Sequence, residues 1–325
     1  MADTLGKIGG TTVSAIVGEN PWETPHGAYL KLRNEVEPTP DNEAMARGRR
    51  FEPIVADIFA GTRPEYRVVH NRQGTDAPEY YEHSKYNYLI GHPDRMLYDS
   101  QTNALVAGLE IKTANWSKIR EWGEEGTDAI PVQYLIQCQW YCGLAQLPEW
   151  EVAVAFFDDA GMPRNYREYK VVADPELFDT LVTSAVEFYE KHVIPGVPPE
   201  MSAIDETTRR WIKRRFPSNV RPLETATSQE EVLMARYLAQ KDALDSAQRA
   251  LEQAETELKL AIGDRDGLQS DTFGKVTWKR SKDSTRVDYK ALCAELNPTD
   301  EQVGKYTKPV EGTRRFVTSG LRIKI

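Results

Sequence analysis

Apolar positions along the chain change their period several times. KIGGTT (7–12) reads as a glycine-rich turn, VSAIVG as a short helix and NPWETP as a turn with two prolines. HGAYLKLRNEV follows with helical spacing at Tyr29, Leu30 and Val36. After the PTPDN loop, Met45, Phe51, Ile54, Val55, Ile58 and Phe59 predict an amphipathic helix, in which Pro53 either starts a second helix or kinks the first. Over 65–115 the pattern becomes that of strands: YRVVHN, then NYLIGHPDRMLYD broken by a turn, then ALVAGLEIKTA, which is β-branched and apolar enough to be buried. Pro131 opens a helix, VQYLIQCQWYCGLAQL, and the strands EVAVAFFDD and REYKVV and the helix PELFDTLVTSAVEFYEKHVI complete the region. Helix, strands, helix, strand, strand, helix is the order of an α/β sandwich on a mixed sheet.

The composition shifts at PGVPPE (195–200), which predicts a core over residues 1–200 and an appendage over 201–325. The appendage begins with a short basic helix, DETTRRWIKRRF. A long helix then starts at Ser228, which has capping-box spacing with Glu231, and stops at Gly263, a length of about 54 Å at roughly 1.5 Å per residue. Tyr237, Leu244, Leu251 and Leu258 recur every seven residues, with Ala247, Ala254 and Ala261 as the neighbouring seam. That seam serves intramolecular packing or a coiled coil, so a homo-oligomer or a docked partner is expected. A strand KVTWKRS, a small helix from Asp288 and a terminal strand RRFVTSGLRIKI make up a small β and helical remainder.

The chain has 325 residues with ordinary apolar and charged fractions, enough for a substantial core. Its net charge of -9 is not that of a uniformly basic nucleic-acid binder, although a local basic channel remains compatible with it. Three cysteines, Cys138, Cys142 and Cys293, give no disulfide framework, and they are too few for a four-cysteine iron–sulfur cluster. No signal-like or membrane-spanning apolar run is present and no GK[ST] phosphate loop, so a cytoplasmic protein without ATP or a membrane role is expected.

The chemistry concentrates in GHPDRMLYDSQTNALVAGLEIKT. Asp94 ends one strand segment, while Glu110 and Lys112 alternate onto one face of the next with Ile111 on the other. Two carboxylates suit Mg²⁺ or Mn²⁺, a cation there polarises a phosphodiester and activates water, and a lysine orients or deprotonates that water and offsets phosphate charge. This is the PD-(D/E)xK nuclease pattern. An ordinary salt-bridged strand pair is the competing reading of the same three residues.

The surroundings add specificity. IGGTTVSAIVGENPWETPHGAYL, NEAMARGRRFEPIVADIF, GHPDRML with GLEIKTA, and IPVQYLIQCQWY follow one another across about residues 8–142. In that order they resemble the YqaJ-like viral recombinases, related to lambda exonuclease. The resemblance implies a restriction-endonuclease-like core, Mg²⁺ dependence with Mn²⁺ as substitute, and digestion of double-stranded DNA ends for phage or prophage recombination in a bacterial host. It also implies a single-strand annealing protein as partner. It makes Asp94 and Glu110 metal ligands with the Ile111 backbone carbonyl, Lys112 the catalytic lysine, and Glu52 the upstream acidic residue near a second metal. Gln137 would place the nucleophile or strand, with Gln139 competing for that role. Thr11 stands where the family has a serine that contacts a DNA phosphate, and Lys7 is the nearest substitute for its early arginine. A non-cleaving DNA-binding or inhibitor protein on the same fold is the alternative function.

Other residues carry two readings each. Glu52 could pair with Arg49 or Arg50 on its own helix. His92 adjoins the motif and reads as a turn residue, and Cys138 and Cys142 as core. Arg209, Arg210, Lys213, Arg214 and Arg215 around Trp211 offer a phosphate-tracking surface or a solvated helix face. Lys7, Thr11 and Thr12 offer an amine, hydroxyls and backbone N–H groups to a DNA-end phosphate.

Overall fold

The computed structural model describes residues 6–70, 77–201, 205–281 and 288–308. Two compact units divide the chain, Met1–Phe216 and Pro217–Ile325. The first therefore extends past the proline-rich segment and takes in the basic helix.

The first unit begins with helices α1 (Gly10–Ile16), α2 (Pro25–Leu32) and α3 (Glu43–Thr62). Strand β1 (Tyr66–His70) follows, then the short β2 (Tyr81–Glu82) and β3 (Ile90–Gly91), which pair with each other. Next come β4 (Arg95–Asp99), β5 (Leu105–Asn115), α4 (Val132–Ala145), β6 (Glu149–Phe157), β7 (Pro163–Val172) and α5 (Pro175–Phe188). The main sheet has the order β1-β4-β5-β6-β7. Only β5 and β6 run parallel, because α4 is the crossover between them, and the other neighbours are antiparallel. The expected mixed sheet flanked by helices is present.

The two faces of the sheet bury different partners. Ala107, Leu109 and Ile111 of β5 pack with Val55, Ala56 and Phe59 of α3. On the other face Val152, Val154 and Phe156 of β6 join Ile136 and Trp140 of α4 in the larger core. β5 and β6 come close enough that a Cβ on Gly108 would lie 2.1 Å from the Trp150 ring, so that position tolerates no side chain.

α3 is one continuous helix with Pro53 inside it, capped by Asn42, whose side chain accepts from the Met45 N–H. Pro53 and Arg49 both lie on the exposed side, so water can satisfy the carbonyl that the proline deprives of a donor. The predicted apolar stripe is narrower than the sequence suggests: Val55, Ala56 and Phe59 are buried, whereas Met45, Ile54 and Ile58 face outward.

Helix α6 (Glu206–Arg215) belongs to this unit because its N-cap is shared with α2. Asp205 accepts from the Thr208 N–H at 2.6 Å, and from the Thr24 N–H and hydroxyl at 2.7 and 2.8 Å. These donors hold the Asp205 carboxyl below its usual range despite the opposing effect of burial.

The second unit contains α7 (Ser228–Ile262), the hairpin β8 (Gly267–Ser270) with β9 (Gly274–Thr277), and helices α8 (Tyr289–Leu296) and α9 (Asp300–Tyr306). The capping box of α7 is formed by Thr227 with Glu230, one residue before the expected pair, and the 35-residue helix is about 52 Å long. The hairpin contains part of the expected KVTWKRS strand. The expected terminal strand at 314–325 lies outside the described residues. Among the described residues no helix is long and apolar enough to cross a membrane.

Candidate active site

Asp94 directly precedes β4, and the antiparallel register sets Arg95 opposite Leu109 of β5. That brings the Asp94 carboxylate against β5, where Oδ2 accepts the Ile111 N–H at 2.8 Å. Glu110 and Lys112, two residues apart on β5, project from the face that α4 covers, while the Ile111 side chain lies in the apolar layer under α3. Gln137 reaches them from α4. Its Nε2 donates to Glu110 Oε1 at 2.8 Å and to the Tyr141 hydroxyl at 2.9 Å, and its Oε1 accepts from Lys112 Nζ at 3.2 Å.

Glu110 is 2% exposed. Its Oε1 accepts from both Lys112 and Gln137, whereas its Oε2 is buried with no hydrogen-bond partner. Burial lifts the Glu110 carboxyl above its ordinary range, against the pull of the Lys112 ammonium. The Asp94 carboxyl is pushed up to about 8, first by burial and then by the neighbouring Glu110 charge. Burial alone would lower the Lys112 ammonium, but Glu110 and Asp94 outweigh it and hold it above the usual lysine range. The ammonium also lies 4.8 Å from the centre of the Tyr134 ring.

The second oxygen of Glu110 has room for a further partner, and a cation is one that fits it. Asp94 and Glu110 offer oxygen donors only, the set preferred by a hard divalent ion. Among the described residues no group of three or more His, Cys, Asp and Glu side chains forms a ready-made cage.

Glu52 faces the same centre from α3, but its Oε1 accepts from Arg95 at 2.7 Å and not from Arg49, which pairs with Asp41. Arg95 is itself buried and also donates to the Asp94 carbonyl at 2.6 Å. The negative charge of Glu52 acts on both Asp94 and Glu110. Gln139 points elsewhere: its Nε2 donates to the Val172 carbonyl and its Oε1 accepts from the Asp174 N–H, each at 2.8 Å.

The remaining sequence-predicted residues divide by place. Gly10 begins α1 against Gln137, and a Cβ there would lie 2.8 Å from the Gln137 side chain. Thr11 is exposed and Thr12 half-buried, while Lys7 pairs with Glu82 at 3.2 Å. On α6, Arg209, Lys213, Arg214 and Arg215 are exposed, Arg214 pairing with Glu37 at 2.7 Å. Arg210 reaches the Thr39 hydroxyl at 3.4 Å, and Trp211 packs edge-on to His26. The exposed His92 ring lies tilted against the Tyr80 ring, 5.5 Å between centres. Cys138 and Cys142 are buried, as a core reading expects.

Arg95, Tyr134 and Tyr141 were not singled out by sequence. Tyr134 and Tyr141 stand three residues before and four after Gln137, a helical spacing that places all three on one face. Arg95 carried only its position beside Asp94 as a signal.

Residues 3–147 match the model of the YqaJ-like viral recombinase domain. The resemblance read from the motifs is borne out, and the matched stretch contains Glu52, Asp94, Glu110, Lys112 and Gln137. The uncharacterized protein YqaJ of Bacillus subtilis (strain 168) is 26% identical over 303 residues, covering 92% of this chain and 88% of that protein. Among solved structures, LHK-Exo in complex with dAMP aligns with 66% of this chain and 95% of its own at 16% identity and a TM-score of 0.45. A phage-related exonuclease from Haemophilus somnus 129PT aligns with 58% of this chain and 96% of its own, at 17% identity and a TM-score of 0.40.

Proposed function

We propose that this chain, a carrier of the YqaJ-like viral recombinase domain, is a metal-dependent DNA nuclease that digests duplex DNA from its ends. The observation that carries this reading is the Asp94–Glu110–Lys112–Gln137 cluster, in which Glu110 and Gln137 are buried and one Glu110 oxygen is left without a donor. A salt-bridged strand pair alone would need no second carboxylate, whereas Asp94 is held against the same strand by the Ile111 N–H.

Asp94 and Glu110 would hold Mg²⁺, with the Ile111 carbonyl as a further oxygen and Glu52 available on the far side of Arg95. When bound, the cation supplies charge to the scissile phosphate and lowers the pKa of water. Lys112 contributes a fixed positive charge and hydrogen-bond donors at the same centre. Its ammonium is held by Glu110, Gln137 and the Tyr134 face, so it meets an incoming phosphate or water already oriented. Gln137 fixes both Glu110 and Lys112 through opposite ends of one amide. Arg95 neutralises Glu52 and ties it to the Asp94 backbone, which limits the repulsion among three carboxylates.

The exposed basic residues of α6, with Lys7 and the Thr11 and Thr12 hydroxyls at the start of α1, are candidate DNA contacts, offered to the backbone in a protein whose overall charge is negative. The exposed strand would pass to a single-strand annealing protein, a role carried over from the family. The test is degradation of linear duplexes labelled at either end, beside closed circles, with Mg²⁺ and with excess chelator. Loss of label from linear DNA alone, only with Mg²⁺, is expected. Binding without cleavage of either substrate would favour a non-cleaving DNA-binding protein.

A further inference from the structure

Among the described residues, the middle of the apolar seam of α7 is exposed. Within its heptads Tyr237, Leu244, Leu251 and Leu258 hold one core position, and Gln240, Ala247, Ala254 and Ala261 hold the other. Leu244 is 57% and Leu251 68% exposed, and the three alanines are exposed beside them. The seam thus alternates large and small residues along a single helix. The flanking positions are polarised: Arg236 and Lys241 lie toward the N-terminal half, Glu255 and Glu257 toward the C-terminal half.

We propose that α7 pairs in antiparallel fashion with α7 of a second copy of this chain, with the two-fold axis passing beside Gln248 and Ala250. In an antiparallel coiled coil the two core positions face each other. Leu244 then meets the partner's Ala254, Leu251 the partner's Ala247, and Tyr237 the partner's Ala261, so these three layers each set a large side chain against a small one, while Leu258 meets the partner's Gln240 at the ends. Small residues at alternate layers allow close approach of the axes. In the same register Lys241 faces the partner's Glu255, and the symmetry repeats that pair at the other end. Gln248 meets its own copy and Ala250 meets its own copy across the axis, where neither introduces like charges.

The parallel alternative uses the same residues badly. It stacks leucine on leucine and alanine on alanine, which leaves the alanine layers underfilled. It also sets Arg236 beside the partner's Lys241, a like-charge contact at the position where coiled coils choose their orientation. Glu255 already accepts Lys259 from its own helix at 2.5 Å, and the partner's Lys241 adds a second cation to that carboxylate.

The full chain and its variants are compared by light scattering and sedimentation at tens of micromolar, with circular dichroism as the check on helix content. The double variant Leu244→Asp, Leu251→Asp should halve the native mass and keep the helical signal. Lys241→Glu alone and Glu255→Lys alone should each weaken association by about tenfold, because each creates two like-charge contacts per pair. Combining them should restore it. Both positions are exposed, so these variants fold whatever their assembly. A wild-type protein that is monomeric throughout would overturn the proposal and leave the seam to a different protein. A native mass untouched by the double aspartate variant would place the contact elsewhere. Charge reversals that do nothing, or that fail to restore association when combined, would exclude the antiparallel register.

Discussion

Glu110 of the first unit is 2% exposed and keeps a carboxylate oxygen without a donor, whereas Leu251 of the second unit is 68% exposed and keeps an apolar side chain without a cover. Both depart from ordinary burial, in opposite directions. Their magnitudes differ. A buried ionised group without a full set of partners costs several kcal/mol, while an exposed leucine forgoes about 1.5–3 kcal/mol of burial and is common on protein surfaces. The polar departure is therefore the stronger sign of a ligand. The apolar one gains meaning only because it repeats every seven residues. The difference also predicts what completes each region: a cation with phosphate for the first, another helix for the second.

Substitutions give the largest contrast. Asp94→Ala and Glu110→Ala should bring cleavage of linear duplex to background and greatly weaken Mn²⁺ binding measured by calorimetry. Lys112→Ala should lose roughly 10²-fold or more, the scale of a positioned acid–base group, while still binding Mn²⁺ and DNA. Lys112→Arg should not rescue it, because a planar fork cannot sit where the ammonium meets Glu110, Gln137 and the Tyr134 ring. The Leu244→Asp, Leu251→Asp protein should keep the single-turnover rate of cleavage per chain on a short duplex. Loss of that rate would collapse the distinction between a chemical region and an assembly region. Chelation should abolish activity in every cleaving variant, and Ca²⁺ should support DNA binding with little turnover.

A smaller effect concerns pH. The Asp94 carboxyl sits at about 8 in the folded protein, against an ordinary value of 3.8. A folded value above the unfolded one gives stability that is complete below pH 4 and is lost as pH rises through 8. Protein stripped of divalent cations should therefore melt several degrees lower at pH 8 than at pH 5. Added Mn²⁺ should raise the melting temperature more at pH 8 than at pH 6, since at the lower pH it must displace a proton. Asp94→Asn should flatten the pH dependence, and the α7 variants should leave it intact. A flat wild-type profile would mean that Asp94 ionises freely.

Much of both regions was legible because the signals are local. Strand alternation alone places Glu110 and Lys112 together and Ile111 apart, and the seven-residue spacing alone draws the seam of α7. Contacts between distant segments were not legible. The pairing of Glu52 with Arg95 joins residues 43 apart, and the Asp205–Thr24 cap that draws α6 into the first unit joins residues 181 apart. No periodicity encodes either. The boundary suggested by the prolines at 195–200 marks a composition change, while the compact unit ends at Phe216 because that cap and its neighbours hold α6. α7 starts at Ser228 as the sequence suggests, but its capping box lies one residue earlier, because Thr227-Ser228 and Glu230-Glu231 offer two overlapping capping boxes and hydrogen bonding selects the first.

A second contrast lies within α4, at Gln137 and Gln139. Two residues apart on a helix, their side chains leave on nearly opposite sides. Gln139 is fully used: one end accepts from the Asp174 backbone and the other donates to the Val172 backbone, tying α4 to the end of β7 and the start of α5. Removing it leaves two backbone groups without their partner, at about 1–3 kcal/mol each if water cannot enter. Gln137 instead spends both ends on Glu110 and Lys112, the two groups expected to rearrange when cation and DNA arrive. Gln139→Ala should therefore lower the melting temperature and leave the single-turnover rate of the folded fraction near wild type. Gln137→Ala should do the reverse, lowering that rate by about tenfold, equivalent to about 1.4 kcal/mol, with a smaller loss of stability. Gln137→Glu separates geometry from charge, since it keeps the shape but sets a third carboxyl beside Glu110 and Asp94. It should be slower than wild type at every pH, and Glu110 should become harder to ionise. If Gln139→Ala proved the slower enzyme, the assignment of the two glutamines would be exchanged, and with it the side of α4 on which the chemistry takes place.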